Sequence, residues 1–255
     1  KNNLTARLGY ARGFRSPSLK ELDLYFIDAN HNIRGNENLK AETSNSIDAS
    51  ITFQNTSEDL PLKFEVDGFF NDIHNIITLA LVDDVSQLFT YINLDHYQTA
   101  GINFSATLSN SNYTFNTGFE MLGTYNSLSE SNADVSHFSL SPQFQNNFVW
   151  HLIKLKLDAA VYFKNVGTTR GYALDANNQV YETFIQPYNI IDLSLNKKIW
   201  GDRLKVNVGV KNLLNVINIS TNTLGDSPHS SNDGMLPYAM GRYYFASVHL
   251  NFYKQ

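Results

Sequence analysis

Seven histidines and no cysteine set the range of chemistry open to this 255-residue chain. Without Cys there is no disulfide framework, no thiolate zinc site and no Cys nucleophile. Imidazole is the remaining strong nitrogen donor for a metal. His31 lies in Asp28-Ala-Asn-His31-Asn, His229 in Ser227-Pro-His229-Ser-Ser, and His137 in a third polar stretch. A lone His in such a stretch is more often a solvated side chain than a ligand. His74, His96, His151 and His249 fall on strands or short turns and receive no role. Arg15 and Pro17 open a long polar segment, where Pro17 fixes its own φ and biases Ser16 toward extended backbone. Their alternatives are ligand contact and loop shaping. Tyr25 and Tyr172 offer ring faces to a flat ligand, or pack against one another.

Catalytic signatures are missing. There is no Gly-x-x-x-x-Gly-Lys-Ser/Thr, no His-Glu-x-x-His and no Gly-x-Ser-x-Gly. Asp175-Ala-Asn177-Asn178-Gln179 has the look of a calcium loop but lacks the Gly at its sixth position and the Glu at its twelfth. Carboxylates are scattered without a compact acid/base pair. The 24 acidic against 19 basic residues argue against a nucleic-acid binder.

The elements that carry these residues are strands. Ile47, Ala49, Ile51 and Phe53 alternate with polar neighbours; so do Ile102, Phe104, Ala106 and Leu108, then Leu204, Val206, Val208 and Val210, and last Tyr244, Ala246, Val248, Leu250 and Phe252. About ten strands are predicted, near 3–12, 43–55, 62–79, 88–109, 112–126, 137–150, 155–171, 184–198, 203–213 and 241–254. Short connections at 55–61, 110–111, 151–154 and 200–202 alternate with a mostly long, polar set at 13–42, 80–87, 127–136, 172–183 and 214–240, of which 80–87 is the short member. Short turns at one rim and long loops at the other are the asymmetry of an outer-membrane barrel. No apolar run of about 18 residues marks a membrane helix.

Alternation alone does not say which face is wet. Three features favour apolar-out. The apolar faces carry almost no charge while the opposite faces carry Lys, Asp, Glu and Asn freely. Several strands exceed the usual 5–6 residues of soluble sheets. Aromatics (Tyr10, Phe53, Trp150, Tyr188, Trp200, Tyr244, Phe252) sit near strand ends, as an interfacial girdle requires. The expected fold is therefore all-β, an antiparallel transmembrane β-barrel.

Two boxes near the start resemble the TonB-dependent outer-membrane receptor family. Phe14-Arg15-Ser16-Pro17 stands where the family has Phe-Arg-Ala-Pro, and Gly35-Asn36-Glu37-Asn38-Leu39 stands near its Asn-Pro-Asn-Leu. Val208-Gly-Val-Lys-Asn212-Leu-Leu-Asn215, followed by Gly241-Arg242-Tyr-Tyr and a terminal strand ending near Phe252, resembles the family's penultimate and closing strands. Phe69-Phe-Asn-Asp-Ile73 and Tyr91-Ile-Asn-Leu-Asp95 resemble its middle strands. The family barrel has roughly 22 strands around a plug, so the resemblance implies that residues 1–255 are about ten C-terminal strands. The plug domain and the first strands would then lie outside this chain.

The resemblance also implies a function. It describes an outer-membrane receptor that binds and imports a scarce metal chelate, driven by the TonB energy-coupling complex through the plug. Haem receptors of the family carry a His between the two boxes, which makes His31 a candidate axial ligand to haem iron. Arg15, Tyr25 and His229 are further candidate ligand contacts. A siderophore or cobalamin is the alternative cargo, and an outer-membrane enzyme or a passive porin the alternative class. No resident cofactor is expected. Expected partners are outer-membrane lipid, the barrel-assembly machinery and a surface lipoprotein.

Overall fold

The structure, a computed structural model, describes residues 2–28, 31–55, 57, 61–83, 86, 88–131, 136–174, 180–200, 203–222 and 234–251. In chain order the elements are β1 (Asn2–Arg15), helix α1 (Leu19–Asp23), β2 (Tyr25–Ile27), β3 (Asn32–Arg34), β4 (Glu42–Asn55), β5 (Leu62–Asp83), β6 (Leu88–Ser109), β7 (Tyr113–Asn126) and β8 (Ser139–Leu152). These are followed by β9 (Leu157–Val166), β10 (Thr169–Leu174), β11 (Val180–Ile185), β12 (Tyr188–Ile199), β13 (Leu204–Lys211), β14 (Asn218–Ser220), β15 (Met235–Pro237) and β16 (Tyr243–Leu250).

Ten long strands form one antiparallel meander in the order β1-β4-β5-β6-β7-β8-β9-β12-β13-β16. Its register lines up the alternating residues. Leu4, Ala6, Leu8 and Tyr10 stand opposite Phe53, Ile51, Ala49 and Ile47. These in turn face Phe64, Val66, Gly68 and Phe70. The band continues through Ala106, Phe104, Ile102 and Ala100, then Phe119 and Met121, to Val206 and Val208 against Val248 and Ala246. Nothing among the described residues covers it: Leu8 is 81% exposed, Ile51 57% and Val248 68%. Among the described residues only Phe89, Val166, Ile190 and Ile219 are buried hydrophobics. A sandwich would have stacked this face on a second sheet; here it is one greasy surface, as lipid contact requires.

The other face carries Arg7, Asp48, Glu65, Asp67, Glu120, Lys164, Asp192 and Lys211, joined by hydrogen bonds such as Asn103 Nδ2 to Asp67 Oδ2 at 2.7 Å and Lys211 Nζ to Asp192 Oδ2 at 2.7 Å. At the short-turn rim Trp150 and Trp200 are exposed; at the loop rim Tyr10 and Tyr244 are. Tyr188 instead pairs its ring with Tyr238 at 4.7 Å. Phe252 lies outside the described residues.

Three expectations change. The strand expected over 155–171 leaves the sheet after Val166: Gly167 N still donates to Pro142 O at 2.8 Å, but Pro142 has no N–H to continue the ladder, and the chain resumes as β10. The strand expected from 184 joins the sheet only at Tyr188, after Pro187, whose fixed φ and missing N–H end β11. The stretch expected as a loop over 172–183 thus holds parts of a separate β10–β11 hairpin. The long segments over 13–42 and 214–240 likewise contain α1, β2 and β3, and β14 and β15.

A loop subdomain at the outer rim as the candidate ligand site

The segment between the two boxes is folded by local rules and then pinned to the sheet. Ser18 caps α1: its hydroxyl accepts from Glu21 N at 3.3 Å, and Glu21 Oε2 accepts from Ser18 N at 2.7 Å. β2 and β3 form a short hairpin, and β3 adds in parallel to the edge of β6, Ile33 beside Phe89 and Arg34 beside Thr90. β5 and β6 are 22 residues each, so they rise well above their neighbours and offer that edge.

Arg15 is the pin. Its Nε and Nη2 donate to the two oxygens of Glu42 at 2.7 and 2.6 Å, and Nη1 donates to Glu21 at 2.9 Å. One guanidinium thus ties the end of β1 to the start of β4 and to α1. Glu42 Oε1 also accepts from Ile77 N at 2.7 Å. Arg15 holds the Glu42 carboxyl below its ordinary value; Glu21 is lowered first by the Ser18 N–H and then by Arg15. Arg15 is itself raised. Phe14 is exposed on the apolar side and Pro17 is half-buried beside the cap.

The second box closes onto the first. Gly35 N donates to Leu24 O at 2.6 Å and Asn36 N to Glu21 O at 2.9 Å. Asn36 Oδ1 accepts from Asn38 N at 2.9 Å, while its Nδ2 donates to Tyr91 O at 2.8 Å. Asn93 exchanges bonds with Lys40 N and O at 2.8 and 3.0 Å, and Leu39 N reaches Asn36 O. A shallow pocket opens between Leu22–Tyr25 and Arg34–Asn38. Gly35 is required by close approach: a Cβ there would overlap the carbonyl of Leu22 and the N of Asp23. Gly35→Ala therefore pushes α1 off the second box, at about 1–3 kcal/mol. The expected readout is faster protease cleavage within 16–41 with the barrel itself unchanged in thermal unfolding.

His31 sits at the β2–β3 end. Its Nδ1 pairs with the carboxylate of Asp28 at 2.9 and 3.0 Å, and its ring stacks obliquely on Phe26 at 4.9 Å. Tyr25 is exposed, with the Arg34 guanidinium 5.5 Å over its ring. The structure thus brings His31, Tyr25 and Arg15 into one subdomain, with Arg15 engaged by two carboxylates. His229 and Asp175–Gln179 lie outside the described residues, and so does the ring of Tyr172 on β10. His137 reaches Ser129 Oγ at 3.4 Å.

The second family-like signature also closes on itself. Asn212 (φ 51°) donates its N to Asp192 Oδ1 at 2.8 Å and exchanges side-chain bonds with Val216 N and O at 2.9 and 2.7 Å. Asn215 Oδ1 accepts from Arg242 N at 2.9 Å, and Arg242 Nε donates to Leu213 O at 2.8 Å. Gly241, at φ 87°, supplies the left-handed turn that lets Arg242 reach back.

One grouping was missed by sequence reasoning. His74 and His96 stand directly opposite on β5 and β6, with Asp72 two residues before His74 on the same face. The period-2 pattern could have placed Asp72 and His74 together, but only the strand register brings in His96.

Comparison with known proteins agrees with this architecture. Residues 1–213 match the family model described as TonB dependent receptor-like, beta-barrel. Hemoglobin and hemoglobin-haptoglobin-binding protein C of Haemophilus influenzae is 36% identical over 83 residues, which are 32% of this chain and 7% of that protein. Among solved structures, the siderophore receptor PirA from Acinetobacter baumannii superposes with TM-score 0.62 at 19% identity, over 96% of this chain and 38% of that one. The FrpB iron transporter from Neisseria meningitidis gives TM-score 0.65 at 14% identity, over 96% and 35%. The chain thus spans well under half of those solved chains, and its match covers a small fraction of the curated relative. A family match over most of the chain, on a ten-strand meander with a bare apolar band, leads to one conclusion: this chain belongs to the TonB-dependent receptor family, in its β-barrel.

Proposed function

We propose that this chain is the C-terminal portion of the barrel of a TonB-dependent outer-membrane receptor that imports an iron chelate, with haem the favoured cargo. The observation that carries the reading is the folded loop subdomain at the outer rim, with His31 oriented by Asp28 between the two boxes. A carboxylate on Nδ1 is the usual way to fix the tautomer of a metal-binding imidazole and raise its basicity; coordination to haem iron then falls to Nε2. The similarity to a haemoglobin-binding protein supports haem over a siderophore. Tyr25, Arg34 and Phe26 supply planar and cationic contacts suited to a flat, carboxylate-bearing macrocycle.

Among the described residues β1 pairs with β4 alone and β16 with β13 alone. In hydrocarbon such open edges leave unpaired backbone groups, each costing several kcal/mol. On this reading the remaining strands and the plug belong to further polypeptide, and the plug carries the contact with the energy-coupling complex. The wall performs no covalent chemistry. Outer-membrane lipid surrounds the band, and the barrel-assembly machinery and a surface lipoprotein remain partners on the same proposal.

Titration of the Soret band of the full-length receptor tests the assignment. His31→Ala is expected to weaken haem binding at least tenfold and to shift the bound spectrum. Unchanged affinity and spectrum would remove His31 from the ligand set. Equal uptake of a ferric siderophore and failure on haemin would move the cargo to the alternative.

A further inference from the structure

We propose that Asp72, His74 and His96 form a binding site for a divalent transition metal of the zinc class, on the outward face of the barrel and off the transport path. His74 and His96 are a directly opposed cross-strand pair on β5 and β6. Their rings lie parallel, 3° apart in plane and 4.8 Å between centroids. Both present Nε2 to one carboxylate: His96 Nε2 is 2.5 Å from Asp72 Oδ1, and His74 Nε2 is 3.3 Å from Asp72 Oδ2. One ligand atom from each residue lies within 4.8 Å of the other two.

Tetrahedral zinc with ligands at about 2.0–2.2 Å needs neighbouring donors about 3.4 Å apart. The present spacings bracket that value, and the rings, now parallel, turn about their side-chain torsions to bring both Nε2 lone pairs onto one ion. Two imidazoles and one carboxylate suit zinc, copper or nickel and are too nitrogen-rich for calcium or magnesium. Three protein ligands leave a fourth position open. The surroundings hold the donors in place. Gln98 Nε2 donates to Asp72 Oδ1 at 3.0 Å and lies 3.1 Å from His96 Nε2. Tyr125 meets the His96 ring edge-on at 5.4 Å.

Position separates this cluster from the lumen. Asp72 and His74 follow Phe64, Val66, Gly68 and Phe70 on the same alternation, and His96 precedes Ala100, Ile102 and Phe104 on its own. The cluster is therefore the first polar row above the apolar band, at the foot of the tall β5–β6 hairpin on which the loop subdomain docks. All three side chains are partly exposed. A bound ion would clip the two strands together there, with its open position turned outward.

The test uses full-length receptor in detergent, stripped with chelator and free of lipopolysaccharide. Titration calorimetry with Zn2+ is expected to show one more equivalent in the parent than in His74→Asn/His96→Asn. Single replacement Asp72→Asn should weaken that equivalent by about 100-fold, since losing even a partner of a ligand costs 10–100-fold. Co2+ should give the visible bands of a four-coordinate nitrogen–oxygen site in the parent alone. Heat-modifiable gel migration of each variant reports an intact barrel. Identical zinc stoichiometry and affinity in parent and double variant would overturn the proposal. So would displacement of Zn2+ by equimolar Ca2+ or Mg2+, or zinc binding that appears only after lipopolysaccharide is added, which would make the site the lipid's.

Discussion

Ile102→Arg is expected to destabilise the receptor in a bilayer by about 2–4 kcal/mol, the cost of a guanidinium near the midplane of a lipid-facing strand. Ile102 lies mid-band, between Gly68 on β5 and Met121 on β7, and is about half exposed. Among the described residues no neighbour there offers a countercharge, and snorkelling must carry the charge past Ala100 or Phe104. Ser105→Arg, on the opposite face of the same strand, is the control. Ser105 stands beside Glu65, so the new cation meets water and a carboxylate. Denaturant unfolding in lipid vesicles should separate the two variants by the full amount. Equal stability would mean that the apolar face is not turned to lipid, and the receptor reading would lose its physical basis.

Arg15→Ala is expected to release the loop subdomain while the meander stays folded. The substitution removes four charge-assisted hydrogen bonds and leaves Glu21 and Glu42, each mostly covered, facing one another. Hydrogen bonds to charged groups contribute about 1.5–3 kcal/mol each; because the guanidinium is 45% exposed, a total of about 1–3 kcal/mol is the appropriate scale. Arg15→Lys should not rescue, since an ammonium cannot span two carboxylates as the fork does. Glu21 and Glu42 are held below their ordinary value of 4.5 in the folded loop. Their contribution is therefore complete above pH 4.5 and is lost as pH falls through the lowered values. Limited proteolysis of residues 16–41 against pH should show parent and Arg15→Ala converging in acid and diverging at neutral pH. Parallel curves would place the loop's stability elsewhere.

The alternation of Ile47, Ala49, Ile51 and Phe53 is a local property, and it was enough to set ten strands, their faces and the two kinds of rim. Strand geometry makes side chains alternate whatever the partner, so this information is written in each segment alone. The ends of β9 and β12 were less legible. The ladder stops where β9 meets Pro142, a residue on another strand with no N–H to give, and a resumed alternation beyond the break reads the same as an unbroken one.

The site divides along the same line. Arg15, Asn36 and Asn212 could be singled out by their boxes; the Ser18–Glu21 cap entered only with the structure. That Arg15 would grip Glu42, 27 residues away, and that His96 would meet Asp72, 24 residues away, depended on which strand lies beside which and in what register. Sequence by itself separated an apolar from a polar face on each strand, because a period of two needs no neighbour. Only the tertiary structure decided which polar groups share a site, because cross-strand partners are chosen by loop closure and register, and a one-residue slip would have sent every one of them to the opposite face.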